Sequence, residues 1–361
     1  MNTNNLYIYL TIFLFFSCTP SSKDNEVIEK NIYIDNFENT EIEIYDLFSE
    51  VILIPLINDL ENIIGNIYDI SIITDTLYLY DNINSCIFSY DINSGFMLDV
   101  IKGKGSGPNE YFNIISMNND LNNIYLLDLP MNNILTLSPK NKITNTIKIP
   151  NAASDFICID NGFLLYNLNT LKKENKIIHI NYNGEKINSY LMFEQDIENP
   201  QRGKSFRKNN KNETFFFELY SNNIYKYVNN NIILEYNIDY INYNIPNSRD
   251  RYKIDLLEET YAVTADFFCL SETHIFSFIK NKKRYYSFYD ISNKTIISGK
   301  VVDNNNKIPF FPQWQHKDYL IGICDYGYLK ENNENIDLCI SPKYDLKLLD
   351  DESYILIIFK L

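Results

Sequence analysis

From residue 41 onward, short apolar runs rich in Ile, Tyr and Phe alternate with polar clusters of Asn, Asp, Gly and Ser. No long stretch repeats its apolar positions with helical spacing, so the pattern predicts strands joined by Asn-rich turns and an all-β chain. The pattern also repeats. Asp81, Asp128 and Glu218 each close an apolar run; an Ile follows six residues later at Ile87, Ile134 and Ile224, and an apolar residue after nine at Tyr90, Leu137 and Tyr227. An acidic strand end that accepts turn amide protons, followed by a strand facing the same core, describes one repeating unit. Unit starts fall near residues 67, 111, 153, 205, 264 and 311. This spacing predicts a six-bladed β-propeller of four-stranded antiparallel blades. The long fourth interval accommodates an insertion at 240–262, where Ile254, Leu257 and Tyr261 have the spacing of a short surface helix.

A ring of blades needs a latch. The apolar run at 353–361 and the one at 51–56 are the last and first strand candidates, and pairing them in one blade removes an exposed edge. Pro55 lacks a backbone donor, which places the N-terminal strand at the edge of that sheet.

The apolar run at 6–16 is too short for a permanent membrane helix and ends at Ser17-Cys18. It reads as a signal peptide over 1–17, with Cys18 as a lipidated mature N-terminus although residues 1–5 lack Lys and Arg. The polar stretch 18–40 reads as a flexible tether and 41–361 as the propeller. The expected location is the cell envelope, lipid-anchored at the outer membrane on its periplasmic or outer side.

Composition narrows the partners. With 47 Asp and Glu against 32 Lys and Arg the chain carries a net −15, which disfavours nucleic acid as a partner. Its basic residues concentrate in one place, Arg202, Lys204, Arg207, Lys208 and Lys211, read as a solvated loop over 194–212. Setting Cys18 aside leaves five cysteines at irregular spacing, which implies no disulfide framework; Cys324 and Cys339 form the one pair to test, with unpaired thiols expected.

Candidate chemistry is sparse. Gly103-Lys-Gly-Ser-Gly-Pro-Asn-Glu-Tyr111 invites a phosphate-cradle reading, but such cradles open a helix and this segment leads into a strand. A tight connection between blades, with Glu110 capping amides and Tyr111 packing between blades, accounts for it, and Lys104, Ser106 and Glu110 are candidate ligand contacts if it borders the channel. Trp314 and His316 form a second candidate, a polar and aromatic cluster suited to a sugar ring or peptide side chain. His179, His274 and His316 are far apart, and no metal site, cofactor cradle or nucleophile elbow is present as a motif.

The segments Ile54-Pro-Leu56, Ile64-Gly-Asn-Ile67, 103–111 and 355–360 together resemble the six-bladed β-propeller lipoproteins of Bacteroidetes, which are similar to NHL-repeat propellers. The chain departs from that pattern at Asn109, where Gly is usual, and at Ser353-Tyr354, where Asn-Pro is usual. The resemblance implies export, a lipid anchor and a propeller, and no particular reaction. The expected role is a binding or scaffolding module for an envelope protein, peptide or glycan, held at the membrane by its lipid. The alternative is a propeller hydrolase or lyase acting on a glycan or lactone through a channel-mouth metal or carboxylates. Converging Asp, Glu, His or Asn side chains in the channel would favour the enzyme, and an apolar channel would disfavour it.

Overall fold

Strand-forming runs of Ile, Tyr and Phe, punctuated every few residues by Asn and Asp turns, can only satisfy their backbone by meandering antiparallel to their neighbours. The computed structural model describes residues 30–361 apart from 60, 106, 108–109, 170, 172, 195–202 and 246–258. The chain opens with β1 (Lys30–Tyr33), β2 (Glu41–Glu43), one helical turn α1 (Ile44–Leu47) and β3 (Glu50–Pro55). The first blade is β4 (Ile67–Ile73), β5 (Thr76–Asp81), β6 (Cys86–Asp91) and β7 (Met97–Lys102). The second is β8 (Ile114–Asn119), β9 (Ile124–Asp128), β10 (Asn133–Leu137) and β11 (Ile143–Lys148). The third is β12 (Ala153–Ile159), β13 (Gly162–Asn167), β14 (Asn175–Ile180) and β15 (Lys186–Met192). The fourth is β16 (Phe206–Lys208), β17 (Thr214–Phe217), β18 (Asn223–Val228) and β19 (Asn231–Asp239). The fifth is β20 (Val263–Cys269), β21 (Thr273–Lys280), β22 (Lys283–Asp290) and β23 (Thr295–Val302). The sixth takes β24 (Trp314–His316), β25 (Tyr319–Asp325) and β26 (Tyr354–Lys360), and completes itself with β3. These are the six blades of a β-propeller.

The latch is the expected one. β3 lies antiparallel to β26, with Glu50 opposite Lys360 and Pro55 opposite Ile355, and it is the last strand of its sheet, where the proline costs no ladder bond. Between blades the cores are continuous: Tyr80 and Ile87 of the first blade meet Ile114 and Leu126 of the second. The repeat seen in the sequence has a structural basis, since Ile87, Ile134 and Ile224 are all fully buried. Asp81 accepts from the amides of Gly65, at 2.7 Å, and Ile83, at 2.9 Å. Asp128 likewise accepts from Phe112 and Asn113, at 2.8 and 3.1 Å. Glu218 departs from this pattern, receiving the Tyr166 hydroxyl and the Lys176 ammonium instead.

The ordered wall starts upstream of residue 41. The segment 30–40, which the composition assigns to the tether, runs along the outside of the ring. There β1 pairs parallel with β19 and β2 parallel with β23, so the fourth and fifth sheets each have a fifth strand. Ile32, Ile34 and Phe37 are buried, and Phe37 sits edge-on to Phe278 and Tyr285 at ring-centroid distances of 4.8 and 4.9 Å. Burying these side chains offsets the ordering cost that keeps polar segments loose. Gly299 permits the approach, because a Cβ there would lie 2.5 Å from the Thr40 carbonyl oxygen.

The helix expected within 240–262 falls largely on 246–258, outside the described residues. An unforeseen one lies between β25 and β26, where α2 (Tyr326–Asn332) buries Tyr326 and Leu329 against the sixth blade.

Candidate functional site

The innermost strand of each blade faces the axis and has no sheet partner on that side, so its polar groups must be satisfied by side chains from neighbouring blades. In β4, β8, β12 and β20 the pairing slips by one residue near the strand start, between Ile67 and Asp69, Ile114 and Ser116, Ala153 and Asp155, and Thr264 and Asp266. Such bulges re-aim a side chain. Here the polar residue after each one enters a network around the axis.

Asp69 is the most connected member. It accepts from the Trp314 indole Nε1–H at 2.9 Å, from the Met117 amide at 2.6 Å and from Lys204, whose Nζ lies 2.8 Å from Oδ2. Lys204 also donates to Ser116 Oγ at 3.1 Å and to the Met117 carbonyl. Asp155 receives the Ser116 hydroxyl at 2.7 Å and the amides of Ser205 and Phe206 at 2.6 and 3.0 Å. Arg207 pairs with Asp266 at 2.8 Å and donates to the Phe267 carbonyl at 3.1 Å. Burial pushes the carboxyls of Asp69 and Asp266 above their ordinary value, with Lys204 and Arg207 opposing. The basic segment therefore does not form a solvated loop throughout: Lys204, Arg207 and Lys208 cross to the axis because β16 is the innermost strand of its blade.

One end of this hub opens into a cavity of about 650 Å³, walled by the first, second, third, fourth and sixth blades. It lies at the end where the hairpins after the innermost strands turn. Those tips are held by short side-chain bonds: Asp120 Oδ1 accepts from the Asn122 and Asn123 amides, each at 2.7 Å, and Asn209 Oδ1 from Lys211 and Glu213 at 3.0 and 2.9 Å. The lining is hydrophilic, with Asn118, Asn119, Asn122, Asn209, Asn210 and Asn212 supplying amides and Lys208, Tyr182 and His316 standing among them. Among the described residues no three His, Cys, Asp or Glu side chains come together as a metal-binding group. The described cysteines, including Cys324 and Cys339, are free thiols.

Of the residues singled out in the sequence, Trp314 and His316 line the cavity. Trp314 is buried and commits its indole N–H to Asp69, so it braces the hub. Lys104 is exposed and bridges to Tyr111, while Glu110 accepts the Gly107 amide at 2.7 Å. Their loop joins the first and second blades at the opposite end of the ring, and neither residue lines the cavity. Tyr111 is buried between those blades and donates to the carbonyls of Ser85 and Ile101 at 2.9 and 3.0 Å. Ser106 and Cys18 lie outside the described residues. Sequence reasoning missed Asp69, Ser116, Asp155 and Lys208. A signal was present for two of them: Asp69 stands twelve residues before Asp81, and Ser116 twelve before Asp128.

His316 gives a direct test of the cavity's enclosure. Burial, with Lys317 adding to it, lowers the ring's pKa from 6.5 to about 4. Between those values the unfolded chain takes the proton first, so this residue's contribution to stability is lost as pH falls from 6.5 toward 4, by about 3 kcal/mol. NMR titration should place the His316 midpoint near pH 4, with the resonance absent in His316→Gln and that variant less sensitive to acid. A midpoint at 6.5 would show an open, solvated ring.

The family described as a domain of unknown function, DUF4934, matches residues 29–356, nearly the whole propeller. The chain belongs to this family. No curated protein sequence matches it. A solved structure of a Bacteroides fragilis NCTC 9343 protein, whose name assigns it to export, superposes with a TM-score of 0.74 at 17% identity, covering 92% of this chain and all of that one. A member of the DUF4221 family from Bacteroides vulgatus gives a TM-score of 0.54 at 12% identity, covering 87% of this chain and 97% of its own. At these identities both likenesses speak to the fold alone.

Proposed function

We propose that this protein is an exported binding module, anchored at the outer membrane through a lipid on Cys18, that captures a polar ligand in the cavity at the hairpin end of its channel. The observation that carries this reading is the cavity itself: about 650 Å³, with amide-bearing walls on hairpin tips pinned by their own Asn and Asp side chains. Ligand sites of this kind use a rigid frame to hold variable loops. The hub carboxylates Asp69, Asp155 and Asp266 each engage neighbouring donors, which suits bracing more than proton transfer. The direction of β1 supports a membrane-facing arrangement. Because β1 runs parallel to β19, the outermost strand of its blade, the chain enters it from the cavity's end of the ring. A lipid upstream would hold the cavity toward the bilayer.

The test is photo-crosslinking in the native envelope with a reactive amino acid at position 122 or 210, inside the cavity, and at 187 on the outer face of the third blade. Capture from both cavity positions and not from 187 is expected. Equal capture everywhere, or none at the cavity, would sink the binding reading. Radioactive palmitate should label the wild type and not Cys18→Ala; an unlabelled wild type would remove the anchor.

A further inference from the structure

Blade four sends three cations to the axis, and their fates differ. Lys204 is matched by Asp69 and Arg207 by Asp266. Lys208, on the cavity wall, donates to the Cys158 carbonyl at 2.8 Å and makes no ion pair among the described residues. Two of its ammonium protons remain for another acceptor. The N–H of the same residue is held as well, since the Cys158 amide donates to Asn118 Oδ1 at 3.1 Å. That bond leaves the Asn118 NH₂ as the free end of its amide, so a second donor is held at the backbone of the same residue and on the same cavity wall. His316 adds a third polar group to the same cavity, with no hydrogen bond to either ring nitrogen among the described residues. The acidic groups on this wall make no ion pair with Lys208: Asp120 accepts the Tyr125 hydroxyl at 2.7 Å and the Asn122 and Asn123 amides, and Asp160 is exposed at the rim.

An unmatched ammonium in a half-enclosed cavity, flanked by an oriented amide, is an arrangement that a carboxylate completes. We infer that the cavity takes an acidic sugar, with the carboxylate of a uronic acid residue received by Lys208 and Asn118. This rests on the cavity being the ligand site proposed above. The choice of a sugar over an acidic peptide comes from the rest of the lining. The side-chain amides of Asn122, Asn210 and Asn212 make no hydrogen bond among the described residues and can both donate and accept, which is what alternating sugar hydroxyls require, whereas a peptide bound by strand addition needs a free strand edge, and the innermost strands have spent theirs on the hub.

Calorimetric titration of the purified protein with uronic-acid tetramers (galacturonate, mannuronate and guluronate), their neutral methyl esters and a tetraglutamate peptide tests the inference. At least one acidic tetramer should bind, with its ester at least about tenfold weaker. Lys208→Met should weaken the acidic tetramer by about tenfold or more and leave the ester unchanged, while Lys208→Arg keeps most of the affinity. If Lys208→Met fails to fold, the wild type decides: raising salt from about 50 to about 500 mM should weaken the acidic tetramer several-fold and not the ester. Ester and acid binding equally, or tetraglutamate binding in place of every uronate, would overturn the acidic-sugar assignment. So would no uronate binding at all. If cavity crosslinks are still captured in that case, the binding module survives with a different ligand; if they are absent as well, both readings fall.

Discussion

Deletion of residues 354–361 is expected to abolish cooperative folding. β26 is an interior strand of the sixth blade, paired with β25 on one side and β3 on the other, so its loss leaves two strand edges bare and opens the ring. Ile355, Leu356, Ile357, Ile358 and Phe359 are all buried. At roughly 1.5–3 kcal/mol for each buried apolar side chain, their removal is comparable with the whole stability of an ordinary domain, about 5–15 kcal/mol. Thermal melting followed by circular dichroism should lose its sigmoidal transition, and trypsin should degrade the truncated chain rapidly. A truncated protein that melts within a few degrees of the full chain would show that the blades do not depend on closure.

Asp69→Ala should cost about 3–5 kcal/mol, the range seen when one partner of a buried ion pair is removed. The change strips the acceptor from three donors at once: the Trp314 indole, the Met117 amide and Lys204. Lys204 retains Ser116 Oγ and the Met117 carbonyl, but loses the carboxylate it pairs with directly. Asp69→Asn should cost less, because an amide oxygen can still receive one or two of the donors while the unpaired ammonium remains. Urea unfolding of both variants, with Trp314 fluorescence as a second probe, measures the difference. Since Trp314 is the only tryptophan, a red shift before global unfolding would show the hub loosening first. Destabilisation below about 1 kcal/mol in Asp69→Ala would mean that the network is dispensable.

The ring was legible in the sequence because its information is local and repeated. Asp81 and Asp128 end strands in register, and every blade start read from that register lies within three residues of the strand that opens the blade. Pro55 marked an edge because proline leaves few alternatives. The outer strap was present in the alternation of Ile32 and Ile34, but a few apolar residues in a polar stretch carry little weight until the flank of a blade is there to receive them. The hub was hidden for a different reason. A lysine in a segment with Arg202 and Lys211 looks solvated, and only the convergence of inner strands from separate blades brings Lys204 to Asp69 and Ser116. Trp314 was identified as a candidate, but its partner lies in the first blade, and no spacing along the chain encodes that pairing.

The strap and latch also impose a timetable. Lys30 lies beside Tyr236, Glu41 beside Lys300 and Glu50 beside Lys360, so a segment made before the first blade finds its partners only as the last blades emerge. Contacts between such distant residues are slow to form, because a long loop must close before they give any return. Until then Ile32, Ile34, Phe37 and the apolar β3 have nowhere to dock, while blades one to three are built wholly from sequence neighbours. The nascent chain therefore carries a sticky segment ahead of a growing stack of finished sheets, and that segment is where a chaperone would have most to shield.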